Sequence, residues 1–237
     1  MKRSFLAAAT AICLCTTSAH AGPVAEFELA FGDMYSSYRS ALFATNSGDA
    51  EKSAKALKAL DMKWADLTSV YADSPPPQYQ DDPQWSQMIA DVTGYLEQAE
   101  SEAAAGQLPV AHVTLEAIRE EFGSLHGRNG VQTFSDRMNA YHAEMEHVLE
   151  LDLSGFDDAA ANRVLEHAGV LGYLADDVLA LPPAQAAGNA EYEPLAAAFR
   201  ASVDQFVEAA RARDGAAVQS AVAGLKVPYS KFFLKFG

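Results

Sequence analysis

The chain has 237 residues, 49% of them hydrophobic, with 17 basic against 32 acidic side chains and a formal charge of −15. That acidity argues against nucleic acid and anionic lipid surfaces as partners, and is compatible with metal ions and basic redox partners. Both cysteines, Cys13 and Cys15, fall in the first 21 residues. If those leave with a leader, no disulfide, thiolate metal site, iron–sulfur cluster or C-x-x-C-H haem attachment remains.

Residues 1–21 read as a signal peptide. Lys2 and Arg3 precede the apolar run "FLAAATAICLC", and Ala19-His20-Ala21 forms an A-x-A cleavage signal. The run is too short for a permanent span, so stable membrane insertion is not expected. The expected mature protein begins at Gly22 and is exported, to the periplasm in a Gram-negative host. Loss of Lys2 and Arg3 takes the basic count from 17 to 15, and the charge to −17.

From there alanine-rich segments repeat apolar residues every three or four positions, and no alternating strand pattern appears. Phe27, Phe31, Met34, Tyr38 and Leu42 form one helical stripe; Leu57, Leu60, Trp64 and Leu67 form the next. Between them lies "TNSGD", where Gly48 stops one helix and Asp49 caps the other. "DSPPPQYQDDP" (73–83) makes a non-helical crossing. Further helices are predicted at about 84–105, 108–126, 133–151, 156–180, 190–213 and 215–234. A shift of 165 residues lays "GDAEKSAKALKALDMKWADL" on "RDGAAVQSAVAGLKVPYSKF", pairing Leu57 with Val222, Leu60 with Leu225, Trp64 with Tyr229 and Leu67 with Phe232. Each hairpin is too small to bury its own face. The reading is therefore all-α, with eight helices in two tandem up-down four-helix bundles, 22–126 and 133–237.

The first half, over residues 27–126, resembles periplasmic four-helix bundles of the soluble cytochrome b and cytochrome c-prime type. The likeness rests on the proline-containing crossing after the second helix and the small-residue hairpin "AAAGQL". It implies Met34 and His126 as axial ligands of a non-covalent haem b, and an electron-transfer role. In the second half phenylalanines of "SKFFLKFG" replace the late ligand.

The residues themselves point elsewhere. Four of the five histidines beyond the leader lie between 112 and 147. His112 and Glu116 are four apart, one turn of helix, and His142 and Glu146 repeat that spacing. If the fourth and fifth helices fold back antiparallel about "GRNGVQ", His112 comes level with Glu146 and Glu116 with His142. Two imidazoles and two carboxylates make a ligand set for copper, iron, zinc or manganese. Met138 and Met145 border that face, and their thioethers favour copper, although both also fit the core stripe. His147 points away, and Arg119 can pair with Glu116. No nucleophile setting or phosphate loop is present, so binding is expected rather than catalysis. The leading expectation is an exported protein that buffers, carries or senses a transition metal, with a redox or metal-handling partner. The alternatives are the haem carrier and a ligand-free scaffold or adaptor.

Overall fold

The computed structural model describes residues 22–237. The leader expectation therefore lies outside the described residues. Eight helices carry the chain: α1 (Pro23–Asn46), α2 (Ala50–Tyr71), α3 (Trp85–Ala104), α4 (Leu108–Arg128), α5 (Phe134–Leu149), α6 (Asp158–Ala180), α7 (Tyr192–Ala212) and α8 (Gly215–Phe236). Among the described residues there is no strand, and no helix is long and apolar enough to cross a membrane.

Local chemistry explains the boundaries. Asp49 accepts a hydrogen bond from Lys52 N at 3.0 Å and starts α2; Asp214 takes Ala216 N and Ala217 N, both at 3.1 Å, and starts α8. Gly48 and Gly130 turn the chain at φ 72° and 66°, values that a side chain resists. Thr133 and Asp136 form a reciprocal capping box that starts α5. α4 runs two residues beyond the sequence expectation, so His126 sits inside its last turn.

Within the first half α1 packs on α2 and α4, α2 on α3, and α3 on α4, closing a four-helix ring. The second half closes the same way through α5–α6, α6–α7, α7–α8 and α5–α8. The rings join chiefly along α1 and α8. One apolar core runs through both halves.

Burial reveals a repeat of 107 residues, the distance from Pro75 to Pro182. Each proline pair leads into a 3-10 turn, Pro77–Tyr79 in one half and Ala184–Ala186 in the other. Asp82 then caps Gln84 N at 2.9 Å as Asn189 caps Glu191 N at 3.0 Å. In α4, Ala111, Thr114, Leu115, Ile118, Phe122, Leu125 and His126 are buried, and so are their counterparts in α8, from Val218 to Phe233. Phe27, Phe31, Met34 and Tyr38 likewise match Phe134, Met138, Tyr141 and Met145. The 165-residue shift superposes α2 on α8, but the structural counterpart of α8 is α4. All these helices share a heptad-like stripe, and that similarity hid the true period.

Candidate functional site

α4 and α5 are connected by a short turn, yet they do not pack along their lengths. A cavity of about 220 Å³ opens between the halves, walled by α1, α4, α5 and α8. His112, Glu116, His142 and Glu146 all line it, as the register argument expects. Their pairing differs from the crosswise expectation. His112 Nε2 lies 3.5 Å from its own neighbour Glu116, and His142 Nε2 lies 3.2 Å from Glu146.

The link between the helices is Arg119. Its Nη1 lies 2.6 Å from Glu116 Oε2 and 3.0 Å from His142 Nδ1. A guanidinium only donates, so His142 Nδ1 accepts and the ring proton sits on Nε2, directed to Glu146. Lys226 Nζ reaches the same Glu146 oxygen at 3.4 Å. The chain of contacts therefore runs Glu116, Arg119, His142, Glu146, Lys226, alternating in donor and acceptor. Burial first, and Arg119 second, push the His142 pKa down to about 4, so it is neutral at pH 7. Its ring stacks on Tyr229, centroids 5.3 Å apart.

His112 is held differently. Thr45 Oγ1 lies 3.2 Å from its Nδ1 and gives its single hydrogen to the Ala41 or Leu42 carbonyl, at 2.9 and 3.0 Å. Thr45 thus accepts from His112 Nδ1–H, and the Nε2 lone pair faces the Glu116 carboxylate. Burial also lowers the His112 pKa.

Two donors of wall residues, Arg119 Nε and the Tyr229 hydroxyl, have no partner, but both atoms are enclosed by protein and do not open on the cavity. Arg119 lies over the Phe233 ring at 5.6 Å. Arg39 adds a third cation, its Nε 3.3 Å from the Leu234 carbonyl at the end of α8. Leu42, Phe43 and Leu234 supply apolar wall, with Phe43 exposed.

The other predicted residues lie apart. Met138 and Met145 are fully buried in the core and do not line the cavity. His147 is exposed beside Glu144, and His167 of α6 bonds Glu144 at 2.7 Å. Among the described residues, no three His, Cys, Asp or Glu side chains gather closely enough to hold a metal ion. Met34 is buried in the first core, and His126 binds Asp136 through Nδ1 at 2.9 Å. Phe31 meets the His126 ring edge-on at 5.7 Å and Tyr79 stacks on it at 6.2 Å. Aromatic rings thus pack on two sides of His126, and the haem expectation rests on the resemblance alone. A second cavity, about 440 Å³, lies along α4 and α5 beside His126, and Arg119 borders both.

Sequence reasoning missed Arg39, Lys226 and Tyr229 as wall residues, and Thr45 as the partner of His112. The 107-residue period holds one signal for them: it equates Arg119 with Lys226 and Arg39 with Glu146, and all four line the cavity.

Fold and site together define an all-α protein of two four-helix rings with a polar cavity at their seam. Compared with family models, curated proteins and solved structures, the chain matches none.

Proposed function

We propose that this chain is an exported, non-catalytic binding protein whose ligand occupies the cavity between the two four-helix rings. One observation carries the reading. Charged and polar side chains from four helices, among them Arg39, Glu116, Arg119, His142, Glu146 and Lys226, converge on one partly open cavity. A concave site that gathers a few convergent charges against apolar wall is the usual form of a small-molecule site. Export is supported by the leader pattern of residues 1–21.

Filling the cavity tests this. Ser230 lies on its wall and is half-buried. Ser230→Phe is expected to abolish the ligand-induced shifts that a small-molecule library produces in amide NMR spectra of residues 22–237, with helical content unchanged. Shifts that persist in Ser230→Phe, or that map away from the seam, overturn the reading.

A transition metal such as copper, iron or zinc, held by His112, Glu116, His142 and Glu146, is the second reading. Its support is the His112 Nε2 lone pair facing Glu116 across 3.5 Å, a gap that a cation suits. Arg119 opposes it. Like unit charges at 4 Å repel by about 4 kcal/mol at an effective dielectric of about 20, and a divalent ion doubles that. Elemental analysis of untagged protein distinguishes the readings. Stoichiometric metal that is lost in the His112→Ala/His142→Ala double variant favours the second.

A further inference from the structure

We propose that the ligand of the seam cavity is a small organic carboxylate with an apolar body. This rests on the binding reading above and names the ligand's chemistry.

Charge is the first argument. With neutral imidazoles, the wall carries Arg39, Arg119 and Lys226 against Glu116 and Glu146, an excess of one positive charge. The chain as a whole is strongly negative. A local positive excess inside an acidic protein is not a by-product of composition, and a single anionic group neutralises it. A bare divalent cation raises the same wall from one excess positive charge to three.

Hydrogen-bonding capacity agrees. Arg39 lines the cavity and, among the described residues, has no carboxylate partner, its guanidinium meeting the Leu234 and Lys235 carbonyls at 3.3 and 3.5 Å. Tyr229 stacks on His142 at 5.3 Å, on Tyr141 at 5.6 Å and on Phe233 at 5.7 Å, so its position is fixed before any ligand arrives. Lys226 meets Glu146 at a loose 3.4 Å and keeps further donors free. Carboxylate oxygens accept from both of these cations, and charge-assisted bonds of this kind are the strong ones.

Size and lining set the remainder. At about 220 Å³ the cavity is below the roughly 300–1,000 Å³ of drug-sized sites, so the ligand is small. Leu42, Phe43, Phe233 and Leu234 offer it an apolar face. A fully hydrated inorganic anion gains nothing from that face.

Calorimetric titration of residues 22–237 tests the assignment. Sodium phenylacetate and sodium hexanoate are the probes, with phenylacetamide, phenethylamine and inorganic phosphate as controls. The expected result is binding of the two carboxylates and of none of the controls. Lys226→Gln and Arg39→Gln each remove one positive charge from the wall and are each expected to weaken binding about tenfold. Unchanged helical content and melting temperature in both variants separate lost contacts from lost fold. Binding of the amide or amine in place of the carboxylates, abolished by Ser230→Phe, overturns the carboxylate and leaves the binding reading standing. Binding of phosphate alone overturns the apolar body. If no probe or control binds, the carboxylate assignment falls, and the library screen with Ser230→Phe then decides the binding reading separately.

Discussion

Arg119 of α4 donates to His142 of α5 across the seam, Nη1 to Nδ1 at 3.0 Å, while the same nitrogen holds Glu116 at 2.6 Å. One mostly buried guanidinium thus sets the tautomer of a histidine in the other half. It also fixes the spacing of two helices that a short turn would otherwise let pack closely.

Removing that guanidinium is expected to be costly. Arg119→Met leaves Glu116 and His142 without their shared partner, and truncating one member of a buried charged network costs about 3–5 kcal/mol. Glu116 is 30% exposed and regains some hydration, which places the loss toward the lower end. Urea denaturation of the two proteins measures it. A change under about 1 kcal/mol would show that the network contributes little.

His142 makes stability depend on pH in a defined window. Its folded pKa is about 4, depressed by burial and by Arg119, against about 6.5 when unfolded. Between those values the unfolded chain binds the proton and the folded chain does not, so stability falls as pH drops from about 6.5 to about 4. The contribution amounts to roughly 3 kcal/mol at the acid end. Comparing melting curves of wild type and His142→Gln over this range isolates it: the wild type is expected to lose more stability, and parallel curves would contradict the assignment.

Asp82 is a carboxylate with no exposed side-chain surface. Burial pushes its pKa up, but Arg128, Gln84 N–H and Asn129 outweigh that and hold it below the usual range. Its stabilising effect is therefore present above the unfolded carboxylate pKa and is lost as pH falls through the lower folded value. Asp82→Ala is expected to cost about 2–3 kcal/mol at pH 7, because it unties the proline crossing from the end of α4. The loss should shrink in acid, where the wild type gives up the same bonds.

The α8 cap offers a contrast. Asp214→Ala removes bonds to two backbone amides and is expected to cost about 1 kcal/mol. Lys226 and Tyr229 lie about three and four turns further along, so carboxylate affinity should stay within about twofold of wild type. A larger change would mean that the cap positions the cavity wall.

Much of this was legible in the sequence. Stripes such as Phe27, Phe31 and Met34 pointed inward because helical spacing leaves an apolar face no other place to go. Asp49 announced a helix start, and it caps α2. The convergence of His112, Glu116, His142 and Glu146 followed from counting outward from a turn. What counting could not supply was the width between α4 and α5. That depends on Arg119, whose i,i+3 bond to Glu116 was anticipated while its reach to the neighbouring helix was not. Lys226 and Tyr229 enter the site from α8, meeting Glu146 and His142 across 80 and 87 residues, and local periodicity carries no information about such contacts. Met138 and Met145 followed the core stripe and not the site, as their spacing equally allowed.

The 107-residue repeat has a consequence for how such a site can arise. Positions 39 and 146 are equivalent, and the cavity wall holds an arginine at one and a glutamate at the other. Two identical subunits meeting at this surface would be compelled to present two arginines or two glutamates to each other. Joining the halves in one polypeptide lifts that constraint: each wall can change alone, and an asymmetric ligand can be met by a correspondingly asymmetric cleft.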